Sequence, residues 1–259
     1  MRMVRLAAAV ALVLATAAGG VQAKDWSKVR IGTEGAYPPF NNLTSDGQLV
    51  GFDIDIAKAL CEEMKVECEF ITQDWDGIIP ALQAGKFDAI IASMSITDER
   101  KQMVDFTNKY YNTPPAIAVP KDSPIAGTTD ADLKGKVIGA QSATTHSNYA
   151  EEKLTSAQIK LYPTADEYKL DVANGRIDAV IDDVVVLSDW LATADGACCK
   201  LLGTLKPDPV INGEGAGIAI RKEDQNLKEM FNTAITAIRA SGKYKEINDA
   251  YFAFDVYGD

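Results

Sequence analysis

Arg100 closes a segment whose residue types suit the capture of a carboxylate. It follows Ser93-Met94-Ser95, two hydroxyl residues at the end of the apolar run Ala89-Ile90-Ile91-Ala92. A guanidinium fork beside hydroxyls can hold a carboxylate in bidentate fashion. Further along, Ala179-Val180-Ile181 ends in Asp182-Asp183. Asp183 could accept from an ammonium group, with Asp182 as the alternative, since neighbours on a strand point to opposite faces. Tyr37 and Trp75 offer aromatic faces to an aliphatic or cationic side chain, and Glu34 adds an acid close to Tyr37. For catalysis there is little. The one histidine, His146, stands among Ser and Thr residues with no cysteine nearby, and nucleophile-elbow, zincin and P-loop patterns are absent.

These residues need a frame that brings distant segments together, and an internal repeat supplies one. Ala84-Gly85-Lys86-Phe87-Asp88-Ala89-Ile90-Ile91 returns as Ala173-Asn174-Gly175-Arg176-Ile177-Asp178-Ala179-Val180-Ile181, with one shift at the glycine. Lys134-Gly135-Lys136-Val137-Ile138-Gly139 likewise echoes Lys28-Val29-Arg30-Ile31-Gly32. The runs lack polar alternation, which predicts parallel strands covered on both faces. Open α/β sheets hold ligands at the carboxyl ends of such strands.

In chain order, the first unit reads as strand 29–33, a proline-rich loop through Phe40, a helix N-capped by Asp53, strand 68–72, a loop carrying Trp75, a helix from about Gly77, and the strand ending at Ser93. Ala116-Ile117-Ala118-Val119 is an extended crossing into a second unit of the same order, whose Gln141 to His146 loop matches Thr33-Glu34-Gly35. Gly213-Glu214-Gly215-Ala216-Gly217 is not a dinucleotide fingerprint, because a strand rather than a helix follows the glycines. Leu227, Phe231, Ile235 and Ile238 mark an amphipathic helix, and with a final short helix this tail packs back on the first unit.

Met1 to Ala23 has a basic start, an apolar run and an A-x-A-like end, which reads as a cleaved secretory signal. The net charge is −11, more negative once Arg2 and Arg5 are removed. With no basic patch, nucleic acid and anionic membrane are excluded as partners. Export permits disulfides. Cys61 and Cys68 would lie about 10 Å apart on one unbroken helix, too far to bridge. A bridge therefore requires the helix to end near Met64-Lys65 and the chain to turn into the next strand. Adjacent Cys198 and Cys199 leave a labile vicinal disulfide, two thiols or metal capture open, with a structural or incidental role preferred.

The blocks Gly32 to Phe40, Gly51-Phe52-Asp53-Ile54-Asp55, Trp75-Asp76-Gly77-Ile78-Ile79-Pro80, Asp88 to Arg100 and Phe254 to Asp259 resemble the periplasmic solute-binding proteins of polar amino-acid ABC importers (family 3). The resemblance covers nearly the whole mature chain and is greatest to the lysine/arginine/ornithine- and histidine-binding members, which share the short cysteine bridge; opine-binding relatives are also similar. It implies an α/β, two-lobed periplasmic binding protein of type II with two crossing hinge strands. By this reading residues 1–23 are the signal, 24–113 and 210–259 form lobe 1, and 114–209 form lobe 2.

The resemblance also implies roles. Arg100 would grip the ligand carboxylate, helped by backbone donors near Ser95 and Thr145. Asp183 and Ser93 would take the ammonium, Tyr37 and Trp75 would stack on the side chain, and Glu34 would face its cationic end. Met94, Gln141, Thr144 and His146 complete the ligand set. This sequence departs from those members at Glu34 (usually Asp), Ala92 (a serine), Gln141 (an apolar residue) and His146 (a glutamine). The function implied is a periplasmic receptor, not an enzyme, that delivers arginine, lysine, ornithine or histidine to an inner-membrane ABC permease. An opine receptor and a sensor subunit on the same fold are the alternatives. The chain is expected to act as a monomer without cofactor or metal.

Overall fold

The computed structural model describes residues 24–258; the expected signal, 1–23, lies outside them. The first lobe begins with β1 (Lys28–Thr33), a small antiparallel sheet of β2 (Ala36–Tyr37), β3 (Asn41–Leu43) and β4 (Leu49–Val50), then α1 (Phe52–Met64), β5 (Glu67–Thr72), α2 (Trp75–Gln83), β6 (Ala89–Ile90), the single turn α3 (Asp98–Lys101) and β7 (Asp105–Tyr111). The second lobe holds β8 (Pro115–Pro120), β9 (Val137–Gln141), α4 (Thr145–Lys153), β10 (Gln158–Tyr162), α5 (Ala165–Ala173), β11 (Ala179–Asp183), α6 (Val184–Leu191), a 3-10 turn at Asp195–Cys198 and β12 (Cys199–Thr204). After α7 (Pro209–Asn212) the chain returns through β13 (Ala216–Ile220), α8 (Gln225–Ser241) and α9 (Lys243–Tyr251).

Two five-stranded sheets result, ordered β5-β1-β6-β13-β7 and β10-β9-β11-β8-β12. Their patterns match. Three parallel strands are followed by one antiparallel strand, β13 against β6 and β8 against β11. The repeat reaches individual contacts. Asp88 accepts from the Arg30 N–H at 3.1 Å, and Asp178 accepts from the Val137 N–H at 2.8 Å. A Cβ on Gly32 would lie 2.5 Å from the Phe87 ring, and one on Gly139 would lie 2.6 Å from Ile177. Each unit thus needs glycine on its first strand to let the apolar residue before the repeated Asp-Ala pack against it.

Each sheet is clothed by helices. Ile56 and Leu60 of α1 and Leu227, Phe231, Ile235 and Ile238 of α8 are buried with Val29, Ile31, Ile218 and Ile220 in one core. Ile117, Val119, Ile138 and Ile181 form another with Ala150 and Leu154. Among the described residues no helix is long and apolar enough to cross a membrane.

Cys61 and Cys68 form a disulfide with their α-carbons 6.2 Å apart. α1 stops at Met64 and Lys65 takes the left-handed conformation, which is the turn the bridge requires. Four local expectations are corrected. Gly51, not Asp53, caps α1, because the cap has φ 122° and a Cβ there would meet the Phe40 carbonyl oxygen at 2.4 Å. Trp75 is not on a loop: α2 starts there, with Asp74 at the cap position and Asp76 in the first turn, where an acid suits the helix dipole. β6 ends at Ile90, short of Ser93, whose φ of 56° turns the chain out of the sheet. β13 starts only at Ala216, because Gly213 and Gly215 have positive φ and press against the Ile96 and Tyr111 carbonyls.

Candidate functional site

The cleft between the lobes is lined by the loops that leave β1, β6 and β9 and by the start of α2 and α4. It holds a small cavity. Glu34, Tyr37, Trp75, Ser93, Ser95 and Arg100 line it from the first lobe. Gln141, Thr144, Thr145 and His146 line it from the second. A contiguous chamber shares Tyr37, Ser93, Ser95, Thr145 and His146 and reaches Asp183.

Arg100 sits in α3, whose start is capped by the Thr97 hydroxyl. Its guanidinium donates to the Ser95 carbonyl at 3.0 Å and, across the cleft, to the Ala143 carbonyl at 3.1 Å. It is buried, and burial pushes its pKa down to about 10, still charged at neutral pH. Among the described residues it has no carboxylate within ion-pair distance, and its guanidinium lies 5.3 Å from the Trp75 ring. Beside it opens the N-terminus of α4, where Thr144 and Ser147 form a reciprocal capping box. A buried, unpaired guanidinium next to a helix N-terminus attracts an anion. Ala143 holds a left-handed conformation, φ 56°, uncommon for a residue with a Cβ. Its carbonyl accepts from both Arg100 and the Trp75 indole N–H.

Glu34, also in the cavity lining, accepts from the Gln141 side-chain amide at 2.6 Å. Burial pushes its carboxyl up to about 7, against the lowering effect of that hydrogen bond. Asp183 is also pushed up to about 7 by burial, despite bonds from the Thr113 hydroxyl and the Val185 N–H. Both carboxyls hold their protons more tightly than ordinary carboxyls and would ionise beside a cation.

Asp182 does different work. It accepts from the Tyr37 hydroxyl of the first lobe at 2.5 Å, from the Tyr168 hydroxyl and from its neighbour's N–H, and lies 3.1 Å from His146 Nδ1. Burial holds the His146 pKa below its ordinary value, with Asp182 opposing the shift and Arg100 adding to it. His146 Nδ1 thus faces the Asp182 carboxylate across the cleft wall at hydrogen-bond distance.

The chain matches the bacterial extracellular solute-binding proteins, family 3, over residues 29–254. It belongs to that family. An L-arginine-binding protein of Pseudomonas aeruginosa is 52% identical over 89% of this chain and 90% of its own length. A histidine-binding periplasmic protein of Salmonella typhimurium is 40% identical over 99% of this chain and its own full length. Among solved structures, a Salmonella typhimurium periplasmic binding protein of high arginine specificity aligns with a TM-score of 0.81 at 34% identity, covering 87% of this chain and 99% of that one.

Within this family 3 chain, the sequence-derived positions converge on the cleft, with one exception. The Met94 side chain is buried in the first-lobe core, and its carbonyl accepts from Gly217, so it presents nothing to the cavity. Thr144 lines the cavity, but its hydroxyl is used locally, donating to the Gln141 carbonyl and accepting from the Ser147 N–H. Sequence reading passed over three supports. Asp53 is a buried acceptor for Ser93, Asn41 and Tyr110 and so positions Ser93. Tyr168 orders Asp182, and Thr113 orders Asp183. The one signal for Asp53 was an acid among apolar neighbours in the first turn of a buried helix.

Proposed function

We propose that this solute-binding protein captures a cationic L-amino acid, arginine foremost, between its lobes and presents it to an inner-membrane ABC permease, working as an exported monomer in the periplasm. The observation that carries the reading is the polarity of the cavity. Among the described residues, its lining holds a buried guanidinium without a carboxylate partner, Arg100, and a half-buried carboxylate without a cationic partner, Glu34.

An amino acid with a basic side chain complements both groups. Its carboxylate meets Arg100 and the start of α4. Its ammonium meets Asp183 and the Ser93 hydroxyl, and its side chain runs between Tyr37 and Trp75 to Glu34. The names of the Pseudomonas relative and of the arginine-specific Salmonella structure support arginine within this class. The Gln141 amide bonded to Glu34 closes the far end, which favours a free side chain over the bulkier opines. We assign no catalytic role, since His146, the single histidine, is held by Asp182.

A titration calorimetry and thermal-shift panel of arginine, lysine, ornithine, histidine, glutamine and octopine tests this. Ligand at about 100 times its Kd adds about 2.7 kcal/mol of stability. Arginine is expected to give the largest shift. A response to glutamine with none to any cationic amino acid overturns the role of Glu34.

A further inference from the structure

Outside the cleft, the feature of this chain that ligand binding leaves unexplained is the pair Cys198-Cys199. The pair joins the 3-10 turn Asp195–Cys198 to β12, at the end of β8 opposite the Pro115 crossing: Cys199 is in register with Pro120, and the Lys121 N–H donates to the Cys198 carbonyl at 2.9 Å. The preceding turn is packed hard, since a Cβ on Gly196 would fall 2.1 Å from the Trp190 carbonyl oxygen. The two sulfurs lie 2.7 Å apart. Cys198 is exposed and Cys199 is buried. We infer that Cys198 and Cys199 are a redox-active dithiol that closes into a vicinal disulfide ring by exchange with a disulfide-bearing oxidant, and that this ring reopens under milder reduction than Cys61–Cys68.

The order of events follows from access. The Cys198 thiolate attacks one sulfur of the oxidant, forming a mixed disulfide and releasing the first thiol. Cys199 then attacks the Cys198 sulfur, which releases the second thiol and closes the ring. Two electrons pass to the oxidant's disulfide, and the two thiol protons leave with its sulfurs, so the oxidant departs as a dithiol or two thiols. Burial pushes the Cys199 thiol up to about 12, which makes the exposed neighbour the point of entry. Ease of reopening follows from chain geometry. Adjacent α-carbons are about 3.8 Å apart, short of the roughly 4.4 Å at which unstrained disulfides begin. Strained and exposed disulfides are the more readily reduced ones. The Cys61–Cys68 bridge, at 6.2 Å, sits inside the ordinary range.

The test is peptide mass mapping of the whole protein after incubation with oxidised glutathione, followed by graded reduction and alkylation. The wild type is expected to lose two hydrogen atoms at Cys198/Cys199 and to retain no glutathione. Cys199→Ser is expected to retain one glutathione on Cys198, because the closing sulfur is gone. On reduction, Cys198 and Cys199 are expected to alkylate before Cys61 and Cys68, with arginine binding unchanged throughout. Two alkylatable thiols at Cys198/Cys199 after oxidant, glutathione retained on the wild type, or earlier opening of Cys61–Cys68 overturns the inference. The wild-type measurements stand even if the variant folds poorly.

Discussion

Tyr37 and Asp182 join the two lobes: the tyrosine hydroxyl, on β2, donates to the carboxylate at the end of β11 at 2.5 Å. The acceptor is itself fixed by Tyr168 and His146, so closure meets a preset partner. The interlobe bond is therefore made between protein groups alone.

Tyr37→Phe keeps the aromatic face and removes this latch. A hydrogen bond to a charged group contributes about 1.5–3 kcal/mol, so arginine affinity should fall about tenfold or more. The loss should fall on the dissociation rate, because the encounter with the open form does not involve the hydroxyl. Stopped-flow fluorescence measures both rates. An unchanged dissociation rate would show that the contact does not hold the closed form.

Arg100→Ala should remove measurable arginine binding. Deleting one partner of a buried charge pair costs about 3–5 kcal/mol, or at least a hundredfold in Kd. Arg100→Lys should not restore it: an ammonium cannot bond the Ser95 and Ala143 carbonyls and also present a bidentate face. Calorimetry alongside thermal unfolding separates lost binding from lost fold. Retention of wild-type affinity by the lysine variant would remove the fork geometry from the account.

Glu34→Gln should change selectivity more than grip. With the carboxylate gone, the distal cation loses its partner, and arginine and lysine should weaken by about tenfold or more. Glutamine, whose side chain is neutral, should change little. Competition against a fluorescent ligand across the amino-acid panel gives the ratio directly. An equal loss for arginine and glutamine would place Glu34 in support of the fold instead.

The sequence carried the architecture because its evidence was repeated. Two copies of a buried strand after Gly-Lys or Gly-Arg, each with its own Asp, made parallel strands readable, and the copies match down to Asp88 and Asp178. The second lobe's edge strand β12 was not legible: Cys199 to Thr204 alternates weakly and pairs with β8, far away in sequence. Within the site, Glu34, Arg100 and Trp75 were readable as residue types on the segments that follow strands. Asp182 was seen only as a rival to Asp183, because which carboxylate lines the cleft depends on a register that spacing does not fix. The buried role of Asp53 was hidden for a related reason, since its partners Asn41, Ser93 and Tyr110 come from three other segments.

Binding should release protons. Glu34 and Asp183 are each raised to about 7 by burial, and a bound cation stabilises their ionised forms, lowering both. The free protein therefore holds more protons than the complex between about pH 5 and pH 7. Arginine affinity should rise with pH through that window and level off above it. Titration calorimetry at pH 6.5 in two buffers of different ionisation enthalpy counts the protons. Equal apparent enthalpies in the two buffers would mean that neither carboxyl changes state on binding.

Asp88 sets the acid limit of the fold from the far end of the first sheet. It accepts from the Arg30 backbone and guanidinium and from Arg221, at 2.9 to 3.1 Å, with Lys24 at 3.6 Å. Burial opposes ionisation, yet these bonds outweigh it and hold the carboxyl well below the usual carboxylate range. A depressed folded-state pKa gives stability that is present above the unfolded value, about 3.9, and lost as pH falls toward the folded one. Asp88→Ala leaves Arg221 with only Asp224 and Glu223 for charge partners among the described residues, so it should cost about 3 kcal/mol at pH 7. The difference from wild type should shrink at pH 3, where the wild-type carboxylate begins to lose its advantage. Urea unfolding at both pH values measures this, and arginine affinity at pH 7 should be unaltered because the cluster lies at the opposite end of β6 from Ser93. A gap that stays constant between pH 7 and pH 3 would assign the cost to packing rather than to the ion cluster.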